Sequence, residues 1–573
     1  MRLAFTRLPT RTASHFQLRR ESGFREKPQR PPVRYEPDPE SSPENVQNQF
    51  SEHTLFAFRN LGRALAYFGY GTLIVGLVAA TAFEGGHIWI EHRMRIAPDE
   101  DAERWGWEVE GWTGGERGGT SPALGFFGRH LVRAAWFSLH SNLPFDGATT
   151  ISHADGSRSL GSLNIAASDL ESACRYLENA IARARGQDGR VPMDKVGSDL
   201  LERHATVLER LGTRTALARA REEYIQILTG SREGDRISQS RLAVKIGRIS
   251  ERLGNNEAAL TWWTRGIDLT SDDSSSENVA RVVPPSPRST GGNLASALSR
   301  WMQSKLPEES SPIPFVGKLI TLPLRPPSSP AAQRTLVAAL LSISALYSRM
   351  NQLKEAEQVQ EYAISLIDAM IPTPDNTSIE PQSPGQTLHH MYLLQRKSVL
   401  ALHYGEVTYS IASSSSSSGL QKAVAPMKPL TDLLTAASLS EVVAQVLTGT
   451  TMLPLPDIAS AGVSSKSGTR VPHPPASYAS LALQYRESPW LQTSAQSLLR
   501  DARRTALEAW DLCGVLYGEV RDGDMKALDC FERALGWAAE PGAVGDLLSE
   551  TGVNAWETLW ERYMEARNAI DRD

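Results

Sequence analysis

"RLAVKIGRISERLGNNEAALTWWTRGIDL", residues 241–269, specifies side-chain size at regular offsets and carries no reactive group at any of them. Ile246 and Gly247 are followed by Gly254, Ala259, Trp263 and Gly266. Small residues on two helical faces let antiparallel helices approach closely, and one large aromatic fills the gap toward a neighbouring pair. Gly254 suits the left-handed turn that ends the first helix. The stretch therefore predicts a packed helix pair, a scaffold and not a reaction centre.

The same size code defines the tetratricopeptide repeat (TPR), a helix pair of about 34 residues, which this stretch resembles. With Gly247 at place 8, Gly254 falls at 15, Ala259 at 20, Trp263 at 24 and Gly266 at 27. Ala243 and Ser250 stand where the repeat wants large residues. Residues 340–366 place Leu340, Ile343, Ser344, Tyr347, Asn351, Ala356 and Ala363 in the same register, with Gln360 where the aromatic belongs. Residues 510–535 offer Trp510, Cys513, Gly514 and Tyr517, then Ala527, Phe531 and Ala534 after one inserted residue. Weaker copies carry Leu211, Gly212, Ala220, Tyr224 and Ile227 with a lengthened turn, and the second-helix trio Ala173, Leu177 and Ala180. Trp556, Leu559, Trp560 and Tyr563 share one face of a final helix, as a cap over the last apolar surface requires.

Outside the repeats, a chain of 573 residues predicts several units. Its net charge of -5 is divided unevenly: residues 1–34 hold nine basic against two acidic residues, +7, leaving -12 for the remainder. That asymmetry argues against a nucleic-acid partner. The first twenty residues are Arg-rich, hydroxylated and free of acid, the composition of a mitochondrial presequence. Residues 64–83 are uncharged, and twenty residues of helix span about 30 Å, a bilayer core. Arg59 and Arg63 precede this span and acidic residues dominate after it, which predicts the N-terminus in the matrix and the body in the intermembrane space. Thr72, Gly76 and Ala80 recur every fourth place, a candidate contact with another membrane helix. Beyond the span, Trp105, Trp107 and Trp112 suit the lipid headgroup level. Phe126, Phe127, Leu131, Ala135, Trp136 and Leu139 form a stripe suited to core packing, with a membrane or partner surface as the alternative.

No catalytic motif occurs, so neither an enzyme nor a cofactor is expected. His87 and His92, five apart, make a poor metal pair, and no metal is expected. Cys174, Cys513 and Cys530 read as buried small residues, a Cys513–Cys530 bridge being the alternative. TPR domains that clamp C-terminal carboxylates need several basic and Asn places; Arg241 and Lys245 fill two, but Glu202 and Thr206 stand at two others.

The expected fold is all-α: a TPR-like helical-hairpin superhelix with one N-terminal transmembrane helix and disordered insertions. Its order is presequence and arm (1–50), pre-membrane segment (51–63), span (64–83), acidic aromatic neck (84–140), repeats (160–270), low-complexity insertion (271–330), repeats with Pro/Ser-rich insertions (331–450), linker (451–478), and a last repeat with cap (479–573). This architecture, with "GGTSPALGFFGRHLVRAAW" at 118–136, resembles the fungal TPR subunit that partners the mitochondrial inner-membrane i-AAA protease. The resemblance implies an adaptor that binds unfolded or membrane-protein substrates and presents them to that protease. An assembly scaffold for another inner-membrane complex, or an outer-membrane import receptor, remain the alternatives.

Overall fold

The computed structural model describes residues 43–95, 99–107, 112–114, 118–140, 158–185, 194–230, 236–270, 279–282, 320–323, 325–371, 383–415, 427–450, 474–520, 523–538 and 552–570. The basic N-terminal arm and the Pro- and Ser-rich stretches at 283–319, 372–382, 416–426 and 451–473 lie outside them. The chain divides at Phe83 into two units.

The first unit holds most of helix α1 (Pro43–Met94), a single helix where the sequence suggested a separate pre-membrane segment. None of its most apolar stretch is buried, and Tyr67, Phe68, Leu73, Ile74, Leu77 and Val78 are all exposed. A helix of this length and composition can cross a membrane.

The second unit is a run of helices. They are α2 (Glu100–Arg104), α3 (Gly125–His140), α4 (Arg158–Ala184), α5 (Lys195–Leu211), α6 (Arg214–Gly230), α7 (Arg236–Arg252) and α8 (Asn256–Thr270), then α9 (Pro330–Arg349), α10 (Leu353–Met370), α11 (Pro384–Ser415), α12 (Met427–Thr448), α13 (Pro475–Tyr478), α14 (Leu483–Glu487), α15 (Pro489–Gly518), α16 (Asp524–Ala538) and α17 (Gly552–Ile570). Short α2 packs on α11, and from α3 onward the consecutive long helices contact one another, the packing of stacked helical hairpins. Three buried apolar clusters follow one another along the stack. Helix α12 is apolar enough to cross a membrane by composition, but Leu433, Ala436, Val443 and Leu447 are core residues.

The size code is visible as contact. A Cβ on Gly247 would lie 2.4 Å from Trp263 Nε1, and one on Gly514 would lie 2.6 Å from the Phe531 ring. Each glycine is thus the floor on which the aromatic of its own hairpin rests. Trp263 is fully buried, and its indole donates to the Val244 carbonyl at 3.3 Å. Where Gln360 replaces the aromatic, Ser344 replaces the glycine, and Gln360 Nε2 donates to Ser344 Oγ at 2.9 Å within the core. Gly254 (φ +86°) and Asn351 (φ +59°) both take the left-handed conformation at the turns between paired helices.

Several expectations are corrected. The turn after Gly212 is short; the extra residues of that repeat lengthen the start of α6 instead. The Ala173–Leu177–Ala180 helix pairs with α3, so the neck supplies the first hairpin's opening helix across residues 141–157. In α3 itself Ala135 is buried and Leu131, Trp136 and Leu139 pack against the core, whereas Phe126 and Phe127 are 61% and 64% exposed. Trp107 and Trp112 are buried in the protein and Trp105 packs against its core, so they do not face outward as the headgroup reading expects. Val279–Val282 pairs antiparallel with Ile320–Pro323, a two-stranded ladder (β1, β2) inside the stretch read as low-complexity. All three cysteines are free thiols, which removes the Cys513–Cys530 bridge.

Glu91, near the end of α1, joins that helix to the first hairpin. Its buried carboxylate accepts from Thr120 N at 3.0 Å and Thr120 Oγ1 at 2.6 Å, and pairs with Arg133 Nε at 2.7 Å. Gly119 (φ +79°) passes so close that a Cβ there would lie 2.7 Å from Glu91 Oε1. His87 meets His130 edge to face at 4.1 Å, and not His92.

Candidate functional site: a helix face filled by the Trp105–Trp107 segment

In repeats of this kind the first helices of successive pairs form a common face, and α7, α9 and α11 lie along it. Arg241 and Lys245 project from α7 at the two basic clamp places, but neither is available to a carboxylate. Lys245 Nζ is 2.7 Å from Glu202 Oε1, the acid at the mismatched clamp place on α5. Burial pushes the Glu202 carboxyl up, yet the charge and hydrogen bond of Lys245, with Arg203, together hold its pKa below the ordinary carboxylate range. Thr206 instead shares a hydrogen bond with the Tyr224 hydroxyl at 3.1 Å.

Arg241 and Arg334, on α7 and α9, converge on the chain's own neck. Arg334 donates to the carbonyls of Trp105, at 3.0 Å, and of Gly106; Arg241 reaches the same Gly106 carbonyl at 3.5 Å. Burial lowers both guanidinium pKa values to about 10, which leaves them charged at neutral pH. A backbone carbonyl between two desolvated guanidiniums gains a charge-assisted interaction that bulk water would weaken. The Arg334 guanidinium also lies over the Trp107 ring, 4.0 Å from its centroid.

Helix α11 completes the grip. Trp107 Nε1 donates to the Gly385 carbonyl at 2.9 Å, and Gly385 N donates to Asp101 Oδ2 at 2.6 Å. Two glycines make room for close approach. A Cβ on Gly106 (φ +62°) would lie 2.9 Å from Ala331 Cβ, and one on Gly385 would lie 2.8 Å from Asp101 Oδ2. His389 bridges Arg334 Nη1 at 3.1 Å and Gln333 Oε1 at 3.0 Å, beneath the Trp105 ring at 5.6 Å. Arg334 can only donate, so Nδ1 accepts and Nε2 carries the proton. Further along, Ser488 Oγ donates to Asp99 Oδ2 at 2.7 Å. Residues 99–107 are thus bound along one face of the stack as a peptide would be.

The structural positions named from the sequence are all within the hairpins: Ile246, Ala259, Trp263, Ala356, Ala363 and Ala534 are fully buried, and Tyr347, Trp510, Tyr517, Ala527 and Phe531 nearly so. Gly266 carries the same close packing, a Cβ there lying 3.0 Å from Val244 Cγ2. On α1, Gly76 has open space around it, and the Thr72 hydroxyl donates back to the Phe68 carbonyl at 2.9 Å. Thr72, Gly76 and Ala80 form an exposed face with no neighbour from the described residues. Arg334 and Gly385 escaped the sequence reading because they sit outside the repeat's coded places. Only the aromatic density of the neck hinted that it had a binding face.

No family model matches the chain, and no curated protein matches it. Among solved structures, a circular tandem repeat protein with novel repeat topology and enhanced subunit contact surfaces is similar over 78% of this chain and 84% of that chain, at 10% identity. The TM-score is 0.19, too low to bear on how these helices are arranged.

Proposed function

We propose that the protein is a membrane-tethered helical-repeat adaptor that holds peptide segments of other proteins. The observation that carries this reading is the bound neck: two of its carbonyls meet two guanidiniums, its Trp107 indole lies against one of them, and Gly385 leaves room for its Asp101. The stack therefore has the means to grip a short helical turn and the residues after it, through two main-chain carbonyls together with acidic and indole side chains. Such contacts are individually weak. Anchoring scaffold and partner in one membrane raises their effective concentration without tighter contact.

The finer reading places the protein in the mitochondrial inner membrane, its short N-terminus in the matrix and its repeats in the intermembrane space. There it would offer unfolded or membrane-protein substrates to the i-AAA protease. The Arg-rich N-terminus, the flanking charges and the resemblance of the whole architecture support it, and the exposed Thr72–Gly76–Ala80 face suits a lateral contact with that protease. Gentle detergent solubilisation followed by quantitative affinity purification, with and without residues 64–83, tests the assignment. The protease should be recovered with the intact chain and depleted without the span; its absence from both preparations would refute the adaptor role. Protection of the C-terminus from added protease until the outer membrane is ruptured is expected for this topology.

A further inference from the structure

Away from the neck, α4 and α5 bring together three groups that none of the preceding argument uses. Cys174 and Glu178 stand one turn apart on α4 and share a face. His204 projects from α5 and is fully buried. Their ligand atoms, the thiol sulfur, a carboxylate oxygen and an imidazole nitrogen, all lie within 4.8 Å of one another. Cys174 Sγ is 3.4 Å from His204 Nε2. Two ligands of tetrahedral zinc, with Zn–S about 2.3 Å and Zn–N about 2.0 Å, stand about 3.5 Å apart, so this pair needs no rearrangement to share an ion.

The imidazole is also oriented for ligation. Both Glu223 oxygens lie 2.8 Å from His204 Nδ1. An ionised carboxylate only accepts, so Nδ1 carries the proton and Nε2 turns its lone pair toward the thiol. A carboxylate behind a histidine in this way sets the tautomer and raises the basicity of the ligating nitrogen. Charge points the same way. Glu178 and Glu223 both contact Arg219, one cation for two carboxylates. Glu178 and Arg219 have side chains 38% and 43% exposed, which gives an ion, and a water as fourth ligand, a way in from solvent.

We propose that Cys174, Glu178 and His204 bind one zinc ion, which ties α4 to α5. Zinc displaces the thiol proton to solvent, and the gain of a dication for one proton cancels the excess negative charge of the cluster. A mixed thiolate, imidazole and carboxylate set favours zinc over magnesium or calcium, which take oxygen ligands alone.

The test uses the full chain in mild detergent, stripped with chelator and titrated with cobalt(II), then zinc(II). One cobalt per chain is expected, with thiolate-to-cobalt charge-transfer absorption that zinc abolishes. Cys174→Ser should lose the absorption, and His204→Gln should weaken binding. Glu223→Gln, which leaves every ligand in place, should weaken it about 10- to 100-fold. Cys513→Ser, Cys530→Ser and His87→Asn should leave it unchanged. Circular dichroism of the metal-free variants checks that each still folds. No stoichiometric cobalt binding, or absorption that survives in a folded Cys174→Ser protein, would overturn the proposal and leave the trio as a hydrogen-bonded core contact.

Discussion

At the scale of single residues, the repeat's glycines act as receptor surfaces for one aromatic each. Gly247→Ala places a methyl where the Trp263 indole lies, 2.4 Å from Nε1, and neither α7 nor α8 can yield without disturbing its neighbours. Overpacking of this kind costs about 1–3 kcal/mol. Urea denaturation should show that loss for Gly247→Ala, and a similar one for Gly514→Ala against Phe531. Trp263→Leu in the Gly247→Ala background should recover part of it, because the two positions share one contact. These pairs were legible in the sequence, since both partners belong to one local code. The Lys245–Glu202 pair was not, although both residues were in view: sequence offsets named the clamp places without saying that they face each other.

His389 supplies a second residue-scale prediction. Burial first, then Arg334 and His390, hold its imidazole down to about 3. A histidine whose folded pKa lies below its ordinary 6.5 is protonated first in the unfolded chain. Its stabilising contribution is therefore complete above about pH 6.5 and is lost as pH falls toward 3, at up to about 1.4 kcal/mol per pH unit. His389→Gln keeps an acceptor for Arg334 and a donor for Gln333. That variant should show a shallower decline of unfolding free energy between about pH 6.5 and 5. An unchanged slope would assign the acid sensitivity to other groups.

Among elements, the neck is the one whose role the sequence misplaced. Tryptophans close after an apolar helix suit a headgroup layer on composition alone, yet Trp107 donates to Gly385, 278 residues away in the chain. Arg334 holds two successive carbonyls and the indole together, so Arg334→Ala should free residues 99–107 while the hairpins persist. Hydrogen exchange of the neck amides should accelerate, and trypsin should cut after Arg104 sooner than in the parent protein. Arg334→Lys keeps the charge but not the planar fork, and should fall between the two. Helix α3 shows the same limit. Its stripe predicted burial, but that it opens the first hairpin across residues 141–157 depends on which helix it meets.

For the molecule as a whole, one apolar helix left exposed and another packed into the core make a direct prediction. Alkaline extraction of membranes should leave the full chain in the pellet, and deletion of residues 64–83 should release the repeats to the supernatant. Helix α12 is also apolar enough to span by composition but is packed in the core, so it should not retain the deleted protein.

The sequence by itself determined the coded repeat helices, the pairing of those in register and an exposed apolar stretch, because each is encoded by sizes and polarities a few residues apart. The path of the neck, the neutralised clamp lysine, the ladder of residues 279–282 with 320–323, and the Cys174–His204 contact were decided only by tertiary structure. Each joins groups that no single coded hairpin contains. Their meeting follows from how hairpins stack, and no pattern within one hairpin specifies it.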